Sequence, residues 1–428
     1  MQRIYLDNNA TTPLDPEVLA YFREALAAYG NPSSMHGFGR EAAEYVHEAR
    51  AAAGRLINAD PDDIIFTSGG TESNNTVLSI FANEGGADVS GGDGYAGGGR
   101  SGQFSGVGVG GSGGKGAIPF IGAGGGSGGK LRNEIVISAI EHPAILETAQ
   151  YLAHRAGIKL HLAPVDAEGR VRPDALENLI SENTALVSVM LANNETGVIQ
   201  DLTAIARIAH AKGAFVHSDA VQALGKIPID AAALGLDYLS ASGHKIYAPK
   251  GVGFLWRRKG APFTPYARGG HQEQGQRAGT INAPAIAAFG KACALAMAKL
   301  PEDSARLAGL RDRLRAGIEE RIPNTRYNGC AAAALPNTLN LSFRAAEGES
   351  ILLYLDLEGI AVSTGSACAS GSLEPSHVLT ACGLGAELAH GSIRFSLGRM
   401  TTAEEIEIVI EKLPPVIARL RAMSTLRT

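Results

Sequence analysis

Cysteine, basic runs and long apolar stretches are all scarce in this chain, and each shortage excludes something. Four cysteines in 428 residues include no Cys-x-x-Cys pair, which argues against a thiolate metal centre or a redox dithiol. Scattered singly, they fit a reducing cytoplasm and a protein with no intrinsic metal. The formal net charge is −5 and no long run of Lys or Arg occurs, so neither nucleic acid nor a membrane is an expected partner. No apolar stretch is expected to approach membrane-spanning length, and Met1–Asp7 reads as the start of structure rather than as a signal peptide. What remains is the composition of a soluble globule, 45% hydrophobic and 19% charged, in a chain too long for one comfortable core.

Three stretches carry chemistry. Ser240-Ala241-Ser242-Gly243-His244-Lys245 sets a lysine after small residues, and Ile246-Tyr247-Ala248-Pro249-Lys250-Gly251 turns the chain behind it. A lysine amine attacks only when unprotonated, so a nucleophilic role needs burial or a cationic neighbour. Taken alone, Lys245 reads as an ordinary solvated lysine. Upstream, the run Phe215-Val216-His217-Ser218 delivers Asp219 at the C-terminal end of a buried parallel strand, where α/β sheets build their sites. Alone, Asp219 reads as a helix cap or turn residue. Ile64-Ile65-Phe66 runs into Thr67-Ser68-Gly69-Gly70-Thr71 and then a helix, so backbone N–H groups and the helix dipole face an anion there. A plain strand-to-helix turn is the bland alternative. Pyridoxal phosphate asks a protein for a lysine, an acid for the ring nitrogen and a phosphate cradle, and all three are present, with Gln222 placed to donate to the ring hydroxyl.

With these residues in hand, the chain resembles the cysteine desulfurases of the NifS/IscS family, in the class V aminotransferase branch of fold-type I pyridoxal-phosphate enzymes. The resemblance is carried by Tyr5-Leu6-Asp7-Asn8-Asn9-Ala10-Thr11-Thr12, Gly30-Asn31-Pro32-Ser33-Ser34, Thr67–Ser73, Glu141-His142-Pro143 and Asn193-Asn194-Glu195-Thr196-Gly197. It continues through His217–Gln222, the Lys245 run, Arg268–Glu273, Arg277–Thr280, Gly365-Ser366-Ala367-Cys368, Ser372–His377 and Ile393–Arg399. It implies that Lys245 holds the cofactor covalently, that Asp219 pairs with the ring nitrogen, and that His142 stacks on the ring and moves protons. Asn194 and Gln222 would contact ring substituents, and Gly70, Thr71, Ser242 and His244 the phosphate, with Thr280 reaching in from a second subunit. Arg394, with Asn194, would bind the substrate carboxylate, a task for a planar fork of donors. Cys368 would accept the sulfur and could contact a nascent iron–sulfur cluster.

The sequence supports Cys368 independently, since Ser363–Ser372 is a run of small residues able to carry a thiolate between a buried cofactor and an outside acceptor. Cys293 and Cys382 read as small buried hydrophobes, and Cys330 as semi-exposed and without a role. His142 precedes a proline and ends the strand Glu134–Ile140; His36, His47, His154, His161 and His210 read as ordinary structural histidines.

Alternating strand and helix signals predict an α/β fold. Asp15-Pro16 opens a helix to about Ala28, and Leu186–Leu191, Ala214–His217, Tyr238–Ala241 and Val252–Trp256 read as buried strands around a helix at Leu202–Lys212. The pattern implies a mainly parallel sheet of the seven-stranded type, covered by helices on both faces, plus a smaller α/β C-terminal domain. After Pro262 come two helices, Ala283–Leu300 and Ser304–Ile322, a strand at Thr338–Phe343, and a last helix opened by a capping box at Thr402–Glu405 and interrupted at Pro414-Pro415. The expected division is 15–262 as the large cofactor domain and 1–14 with 263–428 as the small one. Gly85–Lys130, glycine- and serine-rich with few large apolar residues, has no counterpart in the family pattern. It reads as a mobile, passive insertion rather than a docking element.

The resemblance implies a cytoplasmic homodimer that converts L-cysteine to L-alanine, loads the sulfur onto Cys368 as a persulfide, and supplies a sulfur acceptor or iron–sulfur scaffold protein. Ala192–Gly197, Ser242–Lys245 and Leu413–Ile417 look closer to the nitrogenase-associated branch. The rivals are a selenocysteine lyase or another class V aminotransferase, and a non-catalytic scaffold, which the intact set of cofactor residues disfavours.

Overall fold

The structure, a computed structural model, describes residues 3–82, 132–364 and 374–424. Cys368 and the glycine-rich segment 85–130 lie outside the described residues. From the N-terminus the elements are β1 (Ile4–Tyr5), α1 (Pro16–Ala25), α2 (Gly37–Leu56), β2 (Ile64–Thr67), α3 (Gly70–Ile80), β3 (Glu134–Ser138), α4 (Pro143–Ala156), β4 (Lys159–Ala163), α5 (Pro173–Leu179) and β5 (Thr184–Ser188). Then follow α6 (Leu202–Ala211), β6 (Phe215–Asp219), β7 (Tyr238–Ser242), β8 (Gly253–Arg257), α7 (Ala283–Arg321) and β9 (Thr325–Tyr327). The chain ends with β10 (Thr338–Phe343), α8 (Gly348–Leu357), β11 (Ile360–Ala361), α9 (His377–Ala381), α10 (Ala386–His390), β12 (Ser392–Ser396) and α11 (Ala403–Met423).

Seven strands make the main sheet in the order β2-β8-β7-β6-β5-β3-β4, parallel except where β8 lies antiparallel between β2 and β7. The strands read as unbroken apolar runs because both faces are covered. Ile64, Phe66, Val136, Val187, Val216, Leu239 and Phe254 face the core that holds α2, α6 and the first half of α7. Their neighbours Ile65, Ile135, Ile137, Leu186, Tyr238 and Leu255 face α3 and α4. A second, three-stranded sheet, β12-β10-β9, packs with α8, α11 and the far half of α7 around Leu339, Phe343, Ile393 and Phe395. Ile4 and Leu6 join that core, and β1 pairs in parallel with β11, so the N-terminal strip lies with the C-terminal elements.

Several boundaries differ from expectation. The strand expected at Leu186–Leu191 is β5, Thr184–Ser188; after it the chain leaves the sheet to form the site loop. Strand β3 stops at Ser138, and α1 stops at Ala25. The two helices expected around residue 300 are one, α7, which passes through Pro301. An interior proline forfeits a hydrogen bond and costs roughly 3 kcal/mol. Here burial on both sides outweighs it: Phe289, Cys293 and Ala296 sit in one core and Leu314 and Ile318 in the other. Likewise α11 runs past Pro414-Pro415 to Met423, because its buried stripe Ile406, Val409, Ile410, Leu413, Ile417 continues through the prolines. By length and composition α7 could cross a membrane, against the reading that no stretch approaches that length; 56% of its apolar window is buried inside the protein. Cys330, read as semi-exposed, is buried, and its thiol donates to Glu168 Oε2 at 3.1 Å.

Candidate active site

Five strands, β2, β3, β5, β6 and β7, point the same way, and the segments leaving their C-terminal ends converge on one cavity of about 250 Å³. Gly70, Thr71 and Asn74 come from α3 after β2, and His142 from the turn after β3. Met190 and Asn194 follow β5, Asp219, Val221 and Gln222 end and follow β6, and Ser242, His244 and Lys245 follow β7. An open α/β sheet offers its ligand site at this edge, where loops can project without disturbing the ladder. The structure thus brings together Gly70, Thr71, His142, Asn194, Asp219, Gln222, Ser242, His244 and Lys245.

Each group is held by its own partners. The Lys245 amine donates to the carbonyl oxygens of Asn9 at 2.5 Å and Ala10 at 2.7 Å, so the N-terminal strip fixes it. The Asp219 carboxylate accepts from Asn74 Nδ2 at 2.7 Å and from the Val221 amide at 2.9 Å. His142 is the N-cap of α4: its Nδ1 accepts from the Ala144 amide at 3.1 Å, which leaves Nε2 as the ring's exchangeable nitrogen. Burial, with Lys245 and His377 nearby, lowers its pKa against the pull of Asp219, so the ring is held neutral. His244 is pushed down to about 4, first by burial and then by Lys245, Lys250 and Lys226.

The residues present fit pyridoxal phosphate. Helix α3 starts at Gly70 with no side-chain cap, so its first amides and the positive end of its dipole remain for an anion. Gly69 has φ +146°, a conformation open to glycine. A Cβ on Gly70 would stand 2.6 Å from Val221 Cγ2 and 3.7 Å from Ser242 Cβ, so the missing side chain is what keeps this wall of the cavity open. The Thr71 and Ser242 side chains line the same cavity, with a neutral imidazole, a carboxylate and a lysine opposite.

Two of the named residues do not line the cavity. Thr280 is exposed, outside the lining of its own chain's cavity. Arg394, on β12, is only 3% exposed; it donates to Asp7 Oδ1 at 2.7 Å and to the Asn194 carbonyl at 3.1 Å, touching the site through Asn194. Its Nε is buried without a partner among the described residues. Sequence reasoning missed Asn74, Asn9, Glu141 and Lys226. Glu141 is buried beside His142, accepts from the Ser138 hydroxyl and from the Met190 amide at 2.8 Å, and burial raises its pKa to about 8.

The aminotransferase class-V family matches residues 4–90 and 112–409, skipping part of the glycine-rich segment. A cysteine desulfurase of Cereibacter sphaeroides is 44% identical over 427 aligned residues, spanning 99% of this chain and 98% of its own. One from Gluconacetobacter diazotrophicus is 43% identical over 430, spanning 99% and 96%. The cysteine desulfurase NifS of Azotobacter vinelandii is 41% identical over 430, spanning 99% and 95%. Among solved structures, a NifS-like protein superposes with TM-score 0.82 at 34% identity, covering 98% of this chain and 100% of its own. Another, from Rickettsia africae, gives 0.79 at 31%, covering 97% and 100%.

Proposed function

Since this chain belongs to the aminotransferase class-V family, we propose that it is a pyridoxal-phosphate-dependent cysteine desulfurase that supplies sulfur for iron–sulfur cluster assembly. The observation that carries the reading is the convergence of Lys245, Asp219, His142 and the open N-terminus of α3 on one cavity. Bound there, pyridoxal phosphate supplies an electron sink that makes the substrate Cα–H acidic and stabilises the charge left when the C–S bond breaks.

The chain's own residues do the rest. Gly70, Thr71, Ser242 and His244 hold the phosphate, Asp219 holds the ring nitrogen, and Asn194 and Gln222 meet ring substituents. Lys245 would attach the cofactor, and its amine, when free, would take the substrate Cα proton. His142, neutral and anchored through Nδ1, carries a proton at Nε2. Arg394 receives the substrate carboxylate beside Asn194. The Cys368 thiolate attacks the substrate sulfur: an S–S bond forms, the Cβ–S bond breaks, and the electron pair left on carbon is protonated to give L-alanine. Cysteine and enzyme thiol become alanine and enzyme persulfide, with no outside oxidant.

The finer parts of the proposal are a homodimer, in which the partner copy supplies Thr280, a cytoplasmic location, and a nitrogenase-related client. Thr280 is exposed on its own chain, and Tyr29, Met35 and Phe38 stand 78%, 91% and 56% exposed, as an uncovered apolar face does. Ala192–Gly197, Ser242–Lys245 and Leu413–Ile417 would carry the nitrogenase link, and the sulfur acceptor or scaffold would meet Cys368. The test is mass spectrometry of Cys368 after incubation with L-cysteine. The expected result is one added sulfur together with one equivalent of alanine. A Cys368→Ala variant should still bind cofactor and cysteine but lose sulfide release in the presence of a reductant. Near-normal turnover in that variant favours a lyase or aminotransferase instead.

A further inference from the structure

Lys226 is half-buried, four residues beyond Gln222, and takes no part in the chemistry described above. It does not line the cofactor cavity; with Lys245 it borders a separate void of about 20 Å³, too small to admit a substrate. Its Nζ donates to Gln222 Oε1 at 2.7 Å and to Asn9 Oδ1 at 3.3 Å. Gln222 in turn donates through Nε2 to the Asn9 carbonyl at 2.9 Å, the same oxygen that accepts the Lys245 amine.

A glutamine amide is nearly symmetric in shape, and only its partners decide which end is oxygen. An amine facing it as donor requires oxygen there. With Oε1 committed to Lys226 and one Nε2 hydrogen to Asn9, the side chain keeps one N–H for a ligand in the cavity it lines. Burial first, then the cations of Lys245 and Arg394, hold the Lys226 pKa well below the usual lysine range. A half-buried lysine whose amine is desolvated beside two cations carries a cost that an apolar side chain of the same length would avoid, so its place calls for a compensating role.

We propose that Lys226 is a positioning residue, which locks the Gln222 amide with its N–H toward the cofactor. It rests on the reading of this cavity as a pyridoxal-phosphate site. Loss of the lock lets the amide turn its oxygen to the cavity, exchanging a donor for an acceptor.

The experiment is a double-mutant cycle on cofactor release from the purified holoenzyme, measured by equilibrium dialysis with pyridoxal phosphate and followed by absorbance. Lys226→Met should weaken binding about tenfold and move the absorption maximum of the bound cofactor, the scale expected for losing one hydrogen bond to a charged group. In a Gln222→Ala background the same change should alter the dissociation constant by less than about twofold, since the residue acts through that amide. Multiplicative effects in the double variant, or unchanged binding and spectrum in Lys226→Met, overturn the inference while leaving the cofactor site intact. A wild-type protein that holds no pyridoxal phosphate overturns both. If Lys226→Met does not fold, Lys226→Leu, which likewise has no donor, takes its place in the cycle with the same criteria.

Discussion

Asn9 joins six residues from distant parts of the chain. Its carbonyl accepts Lys245 and Gln222, its Oδ1 accepts Lys226 and Asn337, and its Nδ2 donates to the Asn194 carbonyl and Thr338. The Lys245 amine is therefore oriented by a backbone oxygen 236 residues away in sequence. Among the amines around this hub, only Lys245 lines the cofactor cavity. Borohydride reduction of the holoprotein should fix the cofactor to the peptide containing Lys245. Lys245→Ala should retain it without a covalent bond, because the α3 cradle and Asp219 do not depend on that side chain. Label recovered on another lysine, Lys226 included, would refute the assignment. That Lys245, Asp219 and His142 would share one cavity was legible in the sequence, because each lies in a short motif at the end of a strand. Asn9, Asn74 and Lys226 were not, because their roles are hydrogen bonds closed across long separations, 217 residues between Lys226 and Asn9.

At the level of elements, the cavity depends on how closely β8 approaches β7 and the loop after β2. Gly253 opens β8 opposite Thr67 of β2. A Cβ there would lie 2.4 Å from the Ala241 carbonyl oxygen and 2.7 Å from Gly69 Cα, both backbone atoms that cannot rotate aside. Gly253→Ala must therefore push the loop away from the sheet, moving Gly70 and Thr71 with it. The expected outcome is a loss of about 1–3 kcal/mol in stability, as for other overpacked interiors, together with weaker retention of pyridoxal phosphate. Thermal melts and cofactor dialysis measure the two; a variant with unaltered cofactor affinity would show that the loop does not need this close approach. Strand positions were legible because runs such as Phe215-Val216 are apolar on both sides of the alternation. Helix continuity through Pro301 and Pro414-Pro415 was not, since local rules favour a break and only burial in cores distant in sequence overrides it.

For the whole molecule, buried ionisable groups set how stability depends on pH. His217 is held down to about 3 and His244 to about 4, against an ordinary value of 6.5, by burial. Between those values the unfolded state binds the extra proton, so these histidines make stability fall as pH drops below about 6.5. Glu141 and Glu195 act in the opposite sense. Burial raises them to about 8 and about 7 from 4.5, so the folded state keeps a proton that the unfolded state loses. Their contribution is complete below pH 4.5 and is lost as pH climbs through the folded values. From 4.5 to 6.5 the two sets oppose each other; from 6.5 to 8 these histidines no longer contribute, Glu141 and Glu195 each remove about 1.4 kcal/mol per pH unit until they ionise, and Lys226, held below the usual lysine range, acts against them. Glu141 and Glu195 should therefore contribute a decline in stability between pH 6.5 and 8. Glu141→Gln isolates one proton of that decline, because an amide keeps an acceptor for Ser138 and Met190 and cannot ionise. Melting temperatures of wild type and variant should converge as pH rises from 6.5 to 8, with wild type losing the more. Curves that stay parallel across that interval would mean Glu141 is already ionised in the folded protein, and that its buried carboxylate draws compensation from a group other than Ser138 and Met190.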